Sequence, residues 1–150
     1  MIGRDAGTST PAPKRVAAQE GLFDVACDPP VLLGTRCGAC DAAFFPPLGV
    51  GCEICGAAEE SLRSAPLRAT GRLQAFATVF RHPGTDIETP FTVAEIELDD
   101  GPVVRALMLA PTDDDLAVND GVAGAWISCG ATEKGEEIID LRFAVKENRS

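Results

Sequence analysis

The sequence predicts a mainly β protein in which a short segment built around four cysteines precedes a small closed barrel or sandwich. Two observations lead to this prediction. Four of the six cysteines lie within residues 37–55, and five short runs of strand-forming residues alternate with turn signals after about residue 70. The chain has 150 residues, of which 45% are hydrophobic, so it is long and apolar enough for one or two small folded domains.

The N-terminal region predicts little regular structure. Residues 1–15 are small, polar and proline-containing, and such a segment cannot bury enough apolar surface to offset its ordering entropy. Residues 16–26 predict a short helix or turn, which the Pro29-Pro30 pair ends. We divide the chain into a tail and lead-in (1–30), a ribbon with its connector (31–69) and a barrel (70–150).

Two Cys-x-x-Cys motifs, separated by eleven residues, are the strongest chemical signal. Each such turn directs two sulfur atoms toward one point, and two turns on adjacent hairpins form a tetrahedral cage of four sulfurs. Glycines at positions 38 and 56 suit tight turns beside these cysteines. The pattern predicts a bound metal, zinc first and iron second, with two redox dithiols as the alternative. The predicted ligands are Cys37, Cys40, Cys52 and Cys55.

A site with four thiolates leaves no position for water or substrate, so we expect a structural metal and no catalytic residue. Two cysteines remain. Cys129 ends a predicted strand and is expected to be a buried small hydrophobe. Cys27 is a weak candidate nucleophile, because the only imidazole in the chain is His82. The acidic run Asp113–Asp115 predicts a solvated loop, since it lacks the ligand spacing of a calcium site.

The region after residue 70 predicts five strands. A hairpin signal, Asp99-Asp100-Gly101, separates the second from the third. Five short strands in about 80 residues indicate a small barrel or a sandwich. The strand candidates are residues 71–80, 91–98, 102–109, 122–129 and 138–145.

Residues 30–145 resemble the acyl-CoA-associated zinc-ribbon/OB-fold proteins. The stretch from Val31 to Cys37 with its following cysteines, the Phe45-Pro46-Pro47 run, and the segments 89–94 and 97–102 are similar to that family. The resemblance implies a rubredoxin-like zinc ribbon followed by a five-stranded OB-fold barrel. It also implies a non-catalytic subunit that binds an enzyme acting on acyl-CoA. Residues 1–15 have no counterpart in the family.

The resemblance leaves the class of partner enzyme open. Family members associate with thiolase-like enzymes that cleave or form β-ketoacyl-CoA, or with acyl-CoA hydratases or aldolases. The short N-terminal region is more similar to that of the thiolase partners. We therefore expect a hetero-oligomer with a thiolase-like enzyme, in which this chain helps to shape the acyl-CoA site.

Net charge argues against nucleic acid, which some OB folds bind as single strands. The chain carries 13 Lys+Arg and 23 Asp+Glu, a net of −10. Residues 70–150 alone hold 7 Lys+Arg against 15 Asp+Glu, a net of −8. A single-strand groove needs a basic track with aromatic platforms. A single-stranded nucleic-acid-binding protein is therefore the weaker alternative.

CoA is also anionic, and an acidic chain repels its phosphates. Binding of CoA would therefore need cationic groups from the partner or from a few arginines of this chain. Arg36, Arg81 and Arg105 are candidates for a phosphate contact, although surface arginines are common. The apolar run Phe44–Pro47 is a candidate docking surface, with packing of the ribbon onto the barrel as the alternative. A free-standing enzyme acting through Cys27 or His82 is a further alternative.

The sequence shows no secretory signal and no apolar stretch of 18 residues. We therefore expect a cytoplasmic protein with no membrane association. In that compartment thiols stay reduced, which favours metal ligation over disulfides.

Overall fold

A computed structural model describes residues 14–19, 21–84 and 88–146. These residues contain ten β-strands and a single turn of 3-10 helix at Glu59–Ser61. The strands are β1 (Arg15–Ala17), β2 (Phe23–Asp24), β3 (Val31–Cys37), β4 (Ala43–Phe44), β5 (Leu62–Arg68), β6 (Thr70–Val79), β7 (Phe91–Leu98), β8 (Val103–Leu107), β9 (Gly121–Ala131) and β10 (Glu137–Val145). The predicted mainly β class is confirmed.

Of the two alternatives predicted for residues 16–26, the helix is wrong, and the described residues form turns and two short strands. This region instead forms β1, which pairs in parallel with β10, and β2, which pairs antiparallel with β3. Gly21 separates them with a left-handed φ of +82°, which interrupts any helix. Pairing of β1 with distant β10 and of β2 with neighbouring β3 therefore overrides the weak local preference for helix. Most of the predicted tail, residues 1–13, lies outside the described residues.

The larger sheet has six strands in the order β1-β10-β9-β6-β7-β8. Five of them, β6 to β10, are the strands predicted after residue 70, and Asp99–Gly101 forms the predicted turn between β7 and β8. The sheet curls until β8 meets β10 at a parallel bridge between Met108 and Phe143. There the Leu109 N–H donates to the Phe143 oxygen at 2.7 Å. This order and closure describe an OB-like half-barrel, to which β1 adds a strand that the sequence did not predict.

The smaller sheet is the ribbon, with β3 at its centre. One edge of β3 pairs with β2 and β4, and its other edge pairs with β5 along all seven residues. Gly34 is required here, because a Cβ atom would lie 2.5 Å from Leu67 Cδ1 and 2.6 Å from the Phe44 oxygen. Pro66 fits within β5 because, among the described residues, that strand pairs only with β3 and needs no second set of donors.

One continuous core joins the ribbon to the half-barrel. Phe23 and Leu32 from the ribbon belong to the same buried cluster as Ile96 and Phe143 from the barrel. The Phe23 ring packs against Trp126 of β9 with ring centroids 5.4 Å apart. The ribbon therefore covers the inner surface of the curled sheet.

The expectation that Cys129 is buried is wrong. Cys129 is exposed, as are the other residues of the last part of β9, from Ser128 to Ala131. This end of the strand pairs with the start of β10 and extends past the core. The apolar pattern around Trp126 therefore stops before Cys129.

Candidate metal centre

The structure brings the four cysteines of the two motifs together. Their sulfur atoms all lie within 4.8 Å of one another. Cys37 and Cys55 sulfurs are 3.8 Å apart, and those of Cys40 and Cys52 are 3.6 Å apart. A tetrahedron with metal–sulfur bonds of about 2.3 Å has edges of about 3.8 Å. The sulfur spacing therefore fits one four-coordinate ion.

The two Cys-x-x-Cys turns have the same backbone hydrogen bonds. In each, the first cysteine donates its N–H to the residue five positions later, at 2.9 Å, and its carbonyl oxygen accepts from the residue four positions later. These bonds fold each turn into a knuckle with its sulfurs on one side. The donor and acceptor pairs are Cys37 to Ala42, Asp41 to Cys37, Cys52 to Ala57 and Gly56 to Cys52.

Each knuckle ends in a residue with left-handed backbone. Gly56 has φ +79°, and at the matching position of the first knuckle Asp41 has φ +69°. Gly38 does not have a left-handed backbone, but a Cβ atom there would lie 3.2 Å from the Ser61 oxygen and from the Arg63 guanidinium. Both glycines therefore suit the knuckles, Gly56 by its backbone conformation and Gly38 by its small size. Asp is one of the few residues with a side chain that adopts this backbone region with modest strain.

Backbone N–H groups stabilise negative charge on the first sulfur of each knuckle. Cys52 sulfur accepts from the N–H groups of Cys55 and Ile54, both at 3.4 Å, and these bonds lower the pKa of Cys52 to about 6. Hydrogen bonds from the Cys40 and Ala39 N–H groups likewise lower the pKa of Cys37. Both first cysteines are therefore prepared to bind a cation as thiolates.

The second sulfur of each knuckle behaves differently. An Ala57 N–H favours the Cys55 thiolate, but burial and hydrogen-bonded neighbouring sulfurs raise the pKa of Cys55. Four thiolates at these distances repel one another when no cation lies between them. A divalent metal ion would offset this repulsion and favour the ionised form of all four cysteines. The donor set therefore supports a structural metal held by four sulfurs.

Fold and site together define a zinc-ribbon protein with an attached OB-like half-barrel. Residues 25–60 match the family model for the ChsH2 rubredoxin-like zinc ribbon domain, which confirms the predicted zinc ribbon in this part of the chain. Over a longer stretch, the chain is similar to a solved structure named Ltp2-ChsH2(DUF35) aldolase. The two are 21% identical, with a TM-score of 0.59, and the match covers 75% of this chain and 84% of the other. At this identity the likeness shows a shared fold.

The three candidate arginines differ in their partners among the described residues. Arg36 donates to the Asp41 carbonyl oxygen at 2.8 Å and pairs with the Asp41 carboxylate at 3.6 Å, so it steadies the first knuckle. Arg105 pairs with Glu95 at 2.7 Å on the barrel surface. Arg81 is exposed beyond β6 and has no ion pair with a described residue.

Cys27 and His82 do not form a catalytic pair in the described part of the chain. The Cys27 thiol donates to Asp24 at 3.6 Å, and burial together with the Asp24 charge raises the pKa of Cys27. The exposed His82 ring packs edge-on against Phe91, and its Nδ1 accepts the Gly84 N–H. Neither residue resembles an activated nucleophile or base. Asp113–Asp115 lie in a polar turn region, as expected.

The candidate docking run divides between two roles. Phe45 packs against the shared core, and Phe44 is half-buried in β4, whereas Pro46 and Pro47 are exposed. Just beyond them, Val50 is 86% exposed and Ile54 is 71% exposed at the tip of the metal site. These two were not predicted, because single aliphatic residues beside cysteines carry no surface signal. In the described part of the chain, no helix is long and apolar enough to span a membrane.

Proposed function

We propose that this chain is a non-catalytic, zinc-binding partner subunit of an enzyme that acts on acyl-CoA. One observation carries the proposal: a ChsH2-type zinc ribbon leads directly into a barrel whose fold matches a chain named as part of an aldolase. In the described residues, the Cys27 thiol contacts Asp24 and the His82 ring contacts Phe91, and the proposal therefore places no reaction on these two side chains. The catalytic groups then belong to the partner.

Zinc is the metal proposed for the four-cysteine site. Four thiolates at tetrahedral spacing suit both zinc and iron, and zinc is the usual ion of closed four-thiolate sites in ribbons. The ion would hold the two knuckles and the loop between them in place. The free energy of metal binding would stabilise the folded form of the two knuckles, which bury few apolar side chains of their own.

The preferred partner is a thiolase-like enzyme that cleaves or forms a β-ketoacyl-CoA. This choice follows the resemblance of residues 30–145 to the acyl-CoA-associated zinc-ribbon/OB-fold proteins, and the small subunit of a benzoylsuccinyl-CoA thiolase is its most specific form. An aldolase partner is the second candidate, because the matched structure is named an aldolase. Arg81 is the arginine best able to contact CoA phosphates, since Arg36 and Arg105 already hold carboxylates.

Affinity capture of the tagged full chain from its native cells, with mass spectrometry, tests the proposal. We expect one enzyme in stoichiometric amount and about one zinc per chain by elemental analysis. Capture with the tag alone is the control. Isolation of the chain without a stoichiometric enzyme, or turnover of acyl-CoA by the chain alone, would contradict a supporting role.

The captured complex also separates the two reactions. A thiolase partner consumes free CoA and converts one β-ketoacyl-CoA into two acyl-CoA molecules. An aldolase partner cleaves a β-hydroxyacyl-CoA into a carbonyl compound and an acyl-CoA without consuming CoA. Dependence of cleavage on added CoA therefore decides between them.

A further inference from the structure

A gap remains between β8 and β10 where the half-barrel comes closest to closing. Within the described residues, the bridge at Met108 and Phe143 is the only pairing between these strands. At the far end of β10, β1 covers residues 137–139. Residues 140–142 of β10 therefore face β8 with no strand pairing. We call this gap the seam.

The β8 side of the seam presents unpaired backbone groups. The Met108 N–H donates to the Thr92 oxygen at 2.9 Å, and the register is continuous along β8, so its even-numbered residues bond to β7. In an antiparallel pair, the backbone N–H and C=O groups of the intervening, odd-numbered residues point away from the paired strand, here away from β7. The residues whose N–H and C=O groups face the seam, away from β7, are Val103 and Arg105, whereas Leu107 lies at the bridge between Met108 and Phe143.

The β10 side of the seam is closed by its own side chains. The Leu141 N–H donates to the Asp140 carboxylate at 2.8 Å, and Arg142 donates to the Leu141 carbonyl oxygen at 3.2 Å. An ion pair between Asp140 and Arg142 completes this cap. One edge is thus protected against strand addition, and the edge of β8 is left open.

An apolar cavity of about 230 Å³ lies against the open edge. Its volume is below the roughly 300–1,000 Å³ of pockets for whole small molecules. It has room for one large apolar side chain, not for an acyl-CoA. The principal apolar lining residues are Leu22, Phe23, Phe45, Val104, Ala106 and Phe143.

The rim of the seam is electrically neutral in a chain of net charge −10. Arg105 is paired with Glu95, and Arg142 is paired with Asp140. A charged segment would find no free counter-charge among these groups, whereas an uncharged segment meets no repulsion. The rim therefore favours an uncharged strand.

The geometry points to strand addition at β8. An extended, uncharged segment of the partner enzyme would hydrogen-bond to the backbone of Val103 and Arg105 and insert one apolar side chain into the cavity. This inference rests on the proposed function for the existence of a partner. It adds where the partner binds and by what chemistry.

Amide hydrogen exchange measured by NMR tests this inference on the full chain. In the free chain, we expect fast exchange at Val103 and Arg105 and slow exchange at Val104 and Ala106, which bond to β7. In the captured complex, we expect Val103 and Arg105 to become protected. Slow exchange of Arg105 in the free chain, or unchanged exchange in a formed complex, overturns the inference and leaves the proposed function intact.

Two substitutions at one position separate backbone from side chain. Arg105→Pro removes the N–H that faces the seam without removing a bond to β7, and Arg105→Ala keeps that N–H but removes the ion pair. We expect Arg105→Pro to weaken partner binding about 10-fold and Arg105→Ala less than about 3-fold. Equal effects overturn the inference. If Arg105→Pro fails to fold, Ala106→Leu fills the cavity and takes its place, with the same 10-fold loss expected.

If no enzyme is captured, the proposed function fails and the seam is tested with defined probes. The first probe is a blocked eight-residue peptide that alternates threonine and valine around a central leucine, and the second is n-octanoate. Protection of Val103 and Arg105 by the peptide, and not by its backbone N-methylated form, supports strand addition. Cavity methyl shifts with n-octanoate and no protection by the peptide assign the cavity to a small apolar ligand and overturn the inference.

Discussion

Arg68, the last residue of β5, binds the Asp100 carboxylate in the turn between β7 and β8. Its backbone N–H donates to one oxygen at 2.9 Å, and its guanidinium donates to the other at 3.3 Å. Next to it, the Thr70 hydroxyl donates to Asp99 at 2.6 Å. The junction between β5 of the ribbon and β6 of the barrel is thus hydrogen-bonded to the turn between β7 and β8. These bonds fix the ribbon relative to the curled sheet.

This contact predicts a pH-dependent stability. Burial opposes ionisation of Asp100, but hydrogen bonds and the positive charge from Arg68 outweigh burial and lower the pKa of Asp100. Because the pKa of Asp100 is lower in the folded chain, its carboxylate stabilises the fold at pH values above the unfolded pKa of about 3.9. This stabilisation is lost as pH falls through the folded-state pKa. Asp100→Asn should reduce the free energy of unfolding by about 0.5–1 kcal/mol at pH 7, since Arg68 is largely exposed.

Urea unfolding at pH 7 and pH 3 measures this difference. The gap between wild type and Asp100→Asn should shrink at pH 3, because below about pH 3.9 the unfolded chain binds a proton at Asp100 more readily than the folded chain, whose pKa is lower. Asp115→Asn, an exposed change in the polar turn, is the matched control and should show no gap at either pH. A gap that stays constant with pH would show that the charge of Asp100 is not what stabilises the junction.

Loss of one metal ligand should destabilise the whole protein. Cys52→Ser removes a buried sulfur that accepts two N–H groups. Structural zinc contributes on the order of 10–16 kcal/mol of apparent folding energy in small ribbons, so the variant should lose stoichiometric metal and melt at lower temperature. The barrel should respond too, because Phe23 and Leu32 of the ribbon share its core.

Elemental analysis and thermal unfolding of Cys52→Ser and Cys129→Ser provide the comparison. Cys129 is exposed and outside the cluster, so its replacement should leave metal content and melting temperature unchanged. Treatment of the wild type with a strong chelator should reproduce the Cys52→Ser melting curve. Full metal content in Cys52→Ser would show that this sulfur is not a ligand.

The left-handed backbone at Asp41 should limit which residues are tolerated there. Asp41→Val places a β-branched side chain at φ +69° and should reduce the free energy of unfolding by about 1–2 kcal/mol. Asp41→Gly should change it by less than about 0.5 kcal/mol, because glycine is unstrained there and the Arg36 pair is exposed. Denaturant unfolding of the two variants distinguishes backbone strain from loss of the ion pair, which would affect both equally.

Gly34 should not tolerate even one added methyl group. Its Cβ position conflicts with Leu67 and with the backbone oxygen of Phe44, which cannot move aside without breaking the β3–β4 pairing. Gly34→Ala should therefore reduce the free energy of unfolding by about 1–3 kcal/mol. Gly49→Ala, which meets no atom within 4 Å, is the control and should have little effect in the same urea experiment.

Local sequence signals were sufficient for the elements whose pattern is self-contained. The five barrel strands could be predicted because apolar alternation and turn residues such as Asp99–Gly101 act within a few positions. The helix that was one alternative for 16–26 is wrong because β1 forms by pairing with β10, far along the chain, and β2 forms by pairing with β3. Cys129 was misplaced for a related reason, since sequence does not show where a strand extends beyond the core.

The sequence by itself determined the chemistry of the metal centre and the β character of the chain, because residue identity and short spacing control both. Tertiary structure decided the rest. It made Asp41 the counterpart of Gly56, assigned Arg36 to the first knuckle, and joined ribbon and barrel into one core. It also left the edge of β8 open beside an apolar cavity. These features depend on which distant segments meet, and contacts between distant segments are set by packing of the whole chain rather than by any local pattern.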